Sequence, residues 1–195
     1  MEKSYSDFLE IMGAPVYNEE VPDITLSKYK DLIKGPDDNH DIIIDIWENI
    51  GFSGYENGLF WIVNPDLYTD IVREFKEIDN RAIVFARTAT GNLFLWEWVE
   101  VAKRPNIVHF NIHTRTKTYK SNSLDVFLNF DVTSNWLWEK DFYGKMEQNA
   151  VEKFKLIKHD EAAVFVPSLA LGGEESRDNL QLQKLLPHLF ILAQL

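Results

Sequence analysis

The sequence predicts an α+β protein: a helical, acidic N-terminal lobe over residues 1–79, then an antiparallel sheet with flanking helices over residues 80–195. Three observations predict it. Apolar residues recur at helical spacing through much of the first part of the chain and change to strand alternation after it. Acid is concentrated in the same stretch: residues 1–80 hold 18 Asp and Glu against six Lys and Arg, a net of −12, whereas residues 81–195 carry a net of +1. Asp79-Asn80 closes the last helical pattern before the strands begin.

Taken in order, Tyr5, Phe8, Leu9 and Met12 follow helical spacing, and Gly13-Ala14-Pro15 ends that element. A short helix is expected around Ser27 to Ile33, stopped by Lys34-Gly35-Pro36. The clearest early helix runs from about Asn39 to Ile50. Ile43, Ile46, Trp47 and Ile50 form its apolar stripe, and Gly51 stands at the expected C-cap. Asp38, Asp41, Asp45 and Glu48 share the opposite face, with Asp37 beside them. Gly51 to Gly58 reads as a loop and Leu59 to Val63 as a short strand. Asn64-Pro65-Asp66 is a helix start, with a capping side chain, a proline suited to the first turn and an acid at the positive dipole end. Leu67, Tyr68, Ile71, Val72, Phe75 and Ile78 carry that helix's buried stripe.

Ala82 to Ala89 and Leu93 to Val99 flank Thr90-Gly91-Asn92, a hairpin signal. Val108, Phe110 and Ile112 alternate with His109, Asn111 and His113, so a third strand should show one face to the core, with Arg115 to Lys120 as a fourth. Helices follow around Leu124, Phe127 and Leu128, and around Met146, Ala150, Phe154 and Ile157. Ala163 to Val166 is a strand, Pro167 to Gly173 a loop, and Leu185 to Leu195 an apolar terminal helix beginning near Pro187.

The composition narrows the chemistry. There is no cysteine, so disulfides, thiol nucleophiles and thiolate metal sites are excluded together. The start lacks the pattern of a signal peptide, and no apolar run approaches the roughly 20 residues that span a bilayer, so a cytoplasmic location with no membrane partner is expected. The net charge of −11 disfavours direct nucleic-acid binding and favours a basic partner. His109 and His113 would lie roughly 13 Å apart along one strand, too far to share a zinc ion, and no metal or cofactor is expected. Gly51-Phe52-Ser53-Gly54 falls one residue short of a nucleophile elbow and follows a helix instead of a strand. Gly172-Gly173 precedes Glu174-Glu175, which would repel phosphate. No phosphate-binding or dinucleotide fingerprint occurs. No catalytic residue is assigned.

Two stretches are recognisable. Gly13-Ala14-Pro15, then Ile46-Trp47-Glu48-Asn49-Ile50-Gly51-Phe52-Ser53-Gly54-Tyr55, then Gly58-Leu59-Phe60-Trp61-Ile62-Val63-Asn64-Pro65 resemble the GAD-like domain. Phe165-Val166-Pro167-Ser168-Leu169-Ala170-Leu171-Gly172-Gly173 and the closing His188-Leu189-Phe190-Ile191-Leu192-Ala193-Gln194-Leu195 resemble the C-terminal domain of type VI secretion immunity proteins. Gly91-Asn92-Leu93-Phe94-Leu95-Trp96 is similar to that domain's opening, although Asn92-Leu93 stands where a more acidic pair is usual and Ser168 where alanine is commoner. The resemblance implies a GAD-like domain over residues 1–79, an immunity domain over 80–195, and a non-enzymatic protein that neutralises a cognate effector by binding it. The toxins best known with this architecture are DNases. On that reading Asp37, Asp38, Asp41, Asp45 and Glu48 are the candidate toxin-binding residues. Two alternatives are a hydrolase or transferase with a carboxylate-lined pocket between the lobes, and an effector adaptor or chaperone.

Overall fold

A computed structural model describes residues 5–32, 39–134 and 144–195. The helical spacing at the start becomes α1 (Ser6–Met12), with Phe8 and Met12 buried. A three-residue strand follows, β1 (Tyr17–Glu19), then α2 (Asp23–Leu32) and α3 (Asn39–Asn49). Gly51 takes a positive φ of 84° as α3 ends. The glycine-punctuated stretch expected to be a loop is in fact β2 (Phe52–Tyr55), hairpinned onto β3 (Phe60–Ile62). The helix expected from Pro65 to Ile78 is shorter: a 3-10 turn (Pro65–Leu67), opened by the Asn64 side chain accepting the Asp66 amide, leads into α4 (Thr69–Glu74). Phe75 and Ile78 stay buried although the helix has ended.

The strands β4 (Ile83–Thr88), β5 (Leu93–Val99), β6 (Arg104–Asn111) and β7 (Thr116–Ser121) follow. All seven form one sheet in chain order, each pair of neighbours antiparallel. The first 79 residues therefore supply three strands as well as helices, and β3 pairs with β4 across the Asp79-Asn80 turn. That differs from the helical lobe expected from sequence. The reason is local: β1 and the Gly- and Ser-containing β2 are too short to show an alternating pattern of their own.

After the sheet come α5 (Leu124–Val126), continuing into a π-helical turn (Phe127–Asp131), then α6 (Lys145–Phe154). A second, two-stranded sheet pairs β8 (Glu161–Phe165) with β9 (Leu180–Lys184), and α7 (Leu185–Ala193) follows directly.

Alternation along the central strands assigns their side chains to two cores. On β5, Phe94 and Trp96 face a core closed by α1, α2, α3 and α5, while Leu93 and Leu95 face another closed by α4, β8 and α7. Both sheet faces are therefore covered. This corrects the reading of β6 as a strand with one face in the core: His109, Asn111 and His113 are as buried as Val108, Phe110 and Ile112. A third, smaller core joins α6 to Ala163, Phe165 and Leu180.

Two motif glycines are explained by close approach. Gly54 pairs with Trp61, whose ring lies across it so closely that a β-carbon would stand 2.6 Å away. Gly58 has a φ of 92°, and its missing side chain admits the Ile157 carbonyl, which a β-carbon would meet at 2.2 Å.

Candidate functional site

The acidic face expected on α3 is present in part. Asp41 and Glu48 are exposed, and Asp45 is half-buried. Glu48 pairs with Lys30 of α2, both side chains being largely open to solvent. Asp45 accepts the hydroxyl of the fully buried Tyr5 at 2.6 Å and the amide of Asn49 at 2.8 Å. Burial, and then the Asp45 carboxylate, push the Tyr5 hydroxyl well above its ordinary pKa. Asp45 thus anchors the entry to α1 as well as contributing charge. Asp37 and Asp38 lie outside the described residues.

A second feature lies at the meeting of the N-terminal strands with the C-terminal third. Arg87 of β4 is fully buried, donates to the carbonyls of Thr88, Lys158 and His159 at 2.9–3.0 Å, and lies over the Trp61 ring. His159 in turn stacks on Tyr17 of β1. Ile157 donates its amide to Asn57, and Ala163 to Ala89. At the hairpin, Glu147 in the first turn of α6 is buried and accepts the Thr90 amide at 2.8 Å, the Thr90 hydroxyl at 2.6 Å and the Asn92 side chain at 3.2 Å. Asn92 Oδ1 also takes the Ile112 amide, and His113 Nε2 donates to the Thr90 carbonyl. These groups bind protein to protein, and their arrangement is that of a lock between segments. Leu171, a motif residue in the Leu169–Leu171 turn, stands 65% exposed, while Trp47, Trp61 and Phe165 are buried.

Burial holds His109 and His113 neutral, at pKa values of about 3 and about 4 against an ordinary 6.5, and pushes Glu147 up from 4.5 to about 7. The signs oppose. Below pH 6.5 the unfolded chain takes up histidine protons that the fold refuses, so the histidine contribution is complete above that value and is lost on acidification. Glu147 has a raised folded pKa, so its contribution is complete below 4.5 and is lost as pH rises through about 7. Between pH 6.5 and 4.5 these two histidines outweigh the glutamate; at roughly 1.4 kcal/mol per pKa unit the three groups together lose about 3 kcal/mol on acidification, and His188, also lowered by burial, acts in the same direction. Urea midpoints across that window test this. A midpoint that rises on acidification contradicts it.

A groove of about 520 Å³ opens where the sheet steps. β3 ends opposite Ala86, and after Val63 donates to Phe85 the chain leaves through Asn64-Pro65, so the start of β4 loses its neighbour on that side. α2 and α4 flank the gap. A second hollow, of about 420 Å³, carries Glu56 and Glu152 beside Ile11 and Val132. No sequence pattern pointed to either, because each is assembled from segments far apart in the chain. Among the described residues no three His, Asp or Glu side chains are grouped as metal ligands would be, and no helix is long and apolar enough to cross a membrane.

The GAD-like domain family model matches residues 3–107, more than half of the chain. The chain belongs to the GAD-like domain family. The C-terminal domain of the type VI secretion immunity protein Tdi1 matches residues 121–195, so the GAD-like segment is followed by an immunity domain. That match supports an immunity role. The GAD-like segment contains β1 to β5 with α1 to α4, and the hydrogen bonds of Arg87, Thr90 and Asn92 tie it to the immunity segment. The crystal structure of Atu4351 from Agrobacterium tumefaciens shares the fold, with a TM-score of 0.78 and 19% sequence identity over 97% of this chain and 88% of that one. No curated protein matches the chain.

Proposed function

We propose that this protein confers immunity by binding a cognate type VI secretion effector, and that the effector is a nuclease whose basic, substrate-holding surface is occluded in the complex. The observation that carries the reading is the match of residues 121–195 to the Tdi1 C-terminal domain. Charge supports the finer part. A nuclease must present cations to its substrate's phosphates, and an acidic protein competes for them. Residues 1–80 carry the net −12. The action is binding and not catalysis, it takes place in the cytoplasm, and Asp37, Asp38, Asp41, Asp45 and Glu48 form the attracting face.

The structure decides which of these residues serve as probes. Asp45→Lys would disturb the buried Tyr5, so loss of binding could reflect unfolding. Asp41→Lys with Glu48→Lys changes exposed groups, and the Glu48–Lys30 pair is of the exposed kind that contributes little. The double variant is expected to melt near wild type and to associate with the co-expressed product of the adjacent upstream gene roughly 3- to 10-fold more slowly, with a shallower salt dependence. Wild-type association with unchanged salt dependence would move the interface elsewhere. Failure of that gene product to co-purify, with no rescue of growth, would remove the immunity pairing itself.

A further inference from the structure

The groove beside α4 has a composition at odds with the rest of its surroundings. Its floor and walls carry four aromatic side chains, Tyr29, Tyr68, Trp96 and Trp98. Every ionisable side chain among the described residues of its wall, the tyrosines aside, is a cation: Lys28, Arg73 and Arg81. No carboxylate lines it among the described residues, although it belongs to a chain with net charge −11 and lies entirely inside the GAD-like segment that holds most of the acid. The partner acids of these cations stand outside the wall: Asp66 for Lys28, Asp70 for Arg73, Asp79 and Glu100 for Arg81. The Arg73–Asp70 contact is long, at 3.5 Å, between side chains 56% and 87% exposed, a type of pair that water and salt already weaken. Arg73 can therefore turn to another anion at little cost.

We propose that this groove is a binding site for a free small organic anion with a flat apolar body, of the aromatic carboxylate class. Its volume lies in the range of small-molecule sites, about 300–1,000 Å³. Tyr29, Tyr68 and Trp96 are only 3–6% exposed and make an apolar floor that excludes water, while the more open Trp98 gives a planar body a ring to lie against. Among the described residues of the walls the charged side chains are all cations, and that charge selects an anion. The position of the site also separates it from the immunity segment, because none of its lining residues belongs to residues 121–195.

The test is a titration of the whole protein with 1-naphthoate, and with the neutral 1-naphthalenemethanol as its isostere, read by calorimetry and by the indole N–H signals in proton–nitrogen spectra. Saturable naphthoate binding is expected to shift the Trp96 and Trp98 signals and leave that of Trp47 in place, with the alcohol at least tenfold weaker. Arg73→Glu is expected to weaken naphthoate at least fivefold at an unchanged melting temperature. Should that variant not fold, Arg73→Gln is read in its place, with at least a threefold loss. Absence of saturable binding, equal binding of acid and alcohol, or indifference to both Arg73 variants overturns the proposal. So does failure of naphthoate combined with weakened effector capture by Arg73→Glu, which would assign the groove to the partner protein. The titration needs no effector, so its failure leaves the immunity reading standing, and failure of that reading leaves the titration interpretable.

Discussion

Phe94→Ala is expected to lower the free energy of unfolding by roughly 3–5 kcal/mol, the cost of replacing a fully buried phenylalanine by alanine. Phe94 sits on the interior strand β5, where it meets Phe60 of β3 at 5.9 Å, Phe127 of the π-helical turn at 4.9 Å and the His109 ring of β6 at 5.2 Å. These partners come from two other strands and the helical layer above, and none can follow a lost ring without leaving its own neighbours. The cavity therefore stays open. Urea unfolding measures the loss, with Tyr119→Ala as the control, since Tyr119 is 55% exposed on the edge strand β7. A Phe94→Ala loss no larger than that of the control would show that the sheet is not packed as described.

Glu147→Ala is the second large expected effect, at roughly 3 kcal/mol. The carboxylate accepts three donors, all buried: the Thr90 amide, the Thr90 hydroxyl and the Asn92 side chain. The Thr90 hydroxyl can still reach Thr88 and Asn92 can still donate to Thr90, but the Thr90 amide is left with nothing to bond among the described residues. A buried donor without a partner costs about 1–3 kcal/mol, and the cavity left by the side chain adds to it. The same substitution removes the only group in the hairpin network whose contribution grows on acidification, so the loss of stability between pH 6.5 and 4.5 should become steeper than in wild type. Glu152→Ala, an exposed acid on the same helix, is the comparison. If the two substitutions have equal effects, or if hydrogen exchange at residues 88–92 is unchanged by Glu147→Ala, the lock between α6 and the hairpin is not a stabilising element.

The strongest local patterns carried most of the fold. The stripe of Ile43, Ile46 and Trp47, the Asn64-Pro65-Asp66 start and the hairpin at Thr90-Gly91-Asn92 each specify a local structure through bonds or packing that few residues complete. β9 went unread, because the alternation of Leu180 and Leu182 with Gln181 and Gln183 is only five residues long. β1 and β2 went unread too, since strands this short acquire their pairing from a neighbour, β1 from β2 and β2 from β3, and not from their own periodicity. The acidic face could be placed on α3 from spacing alone. That Asp45 is tied to Tyr5, and Glu48 to Lys30, depends on which elements pack beside the helix.

By itself, then, the sequence determined the longer helices and strands and their order, the imbalance of charge and the family, because these rest on residue type and short-range spacing. Only the tertiary structure decided that one sheet runs from β1 to β7 with both faces covered, that a buried arginine and glutamate join the two matched segments, and that four aromatic rings and three cations surround one groove. Those features are made by residues tens of positions apart. Their energies come from desolvation and from hydrogen bonds that exist only once the distant partners have met.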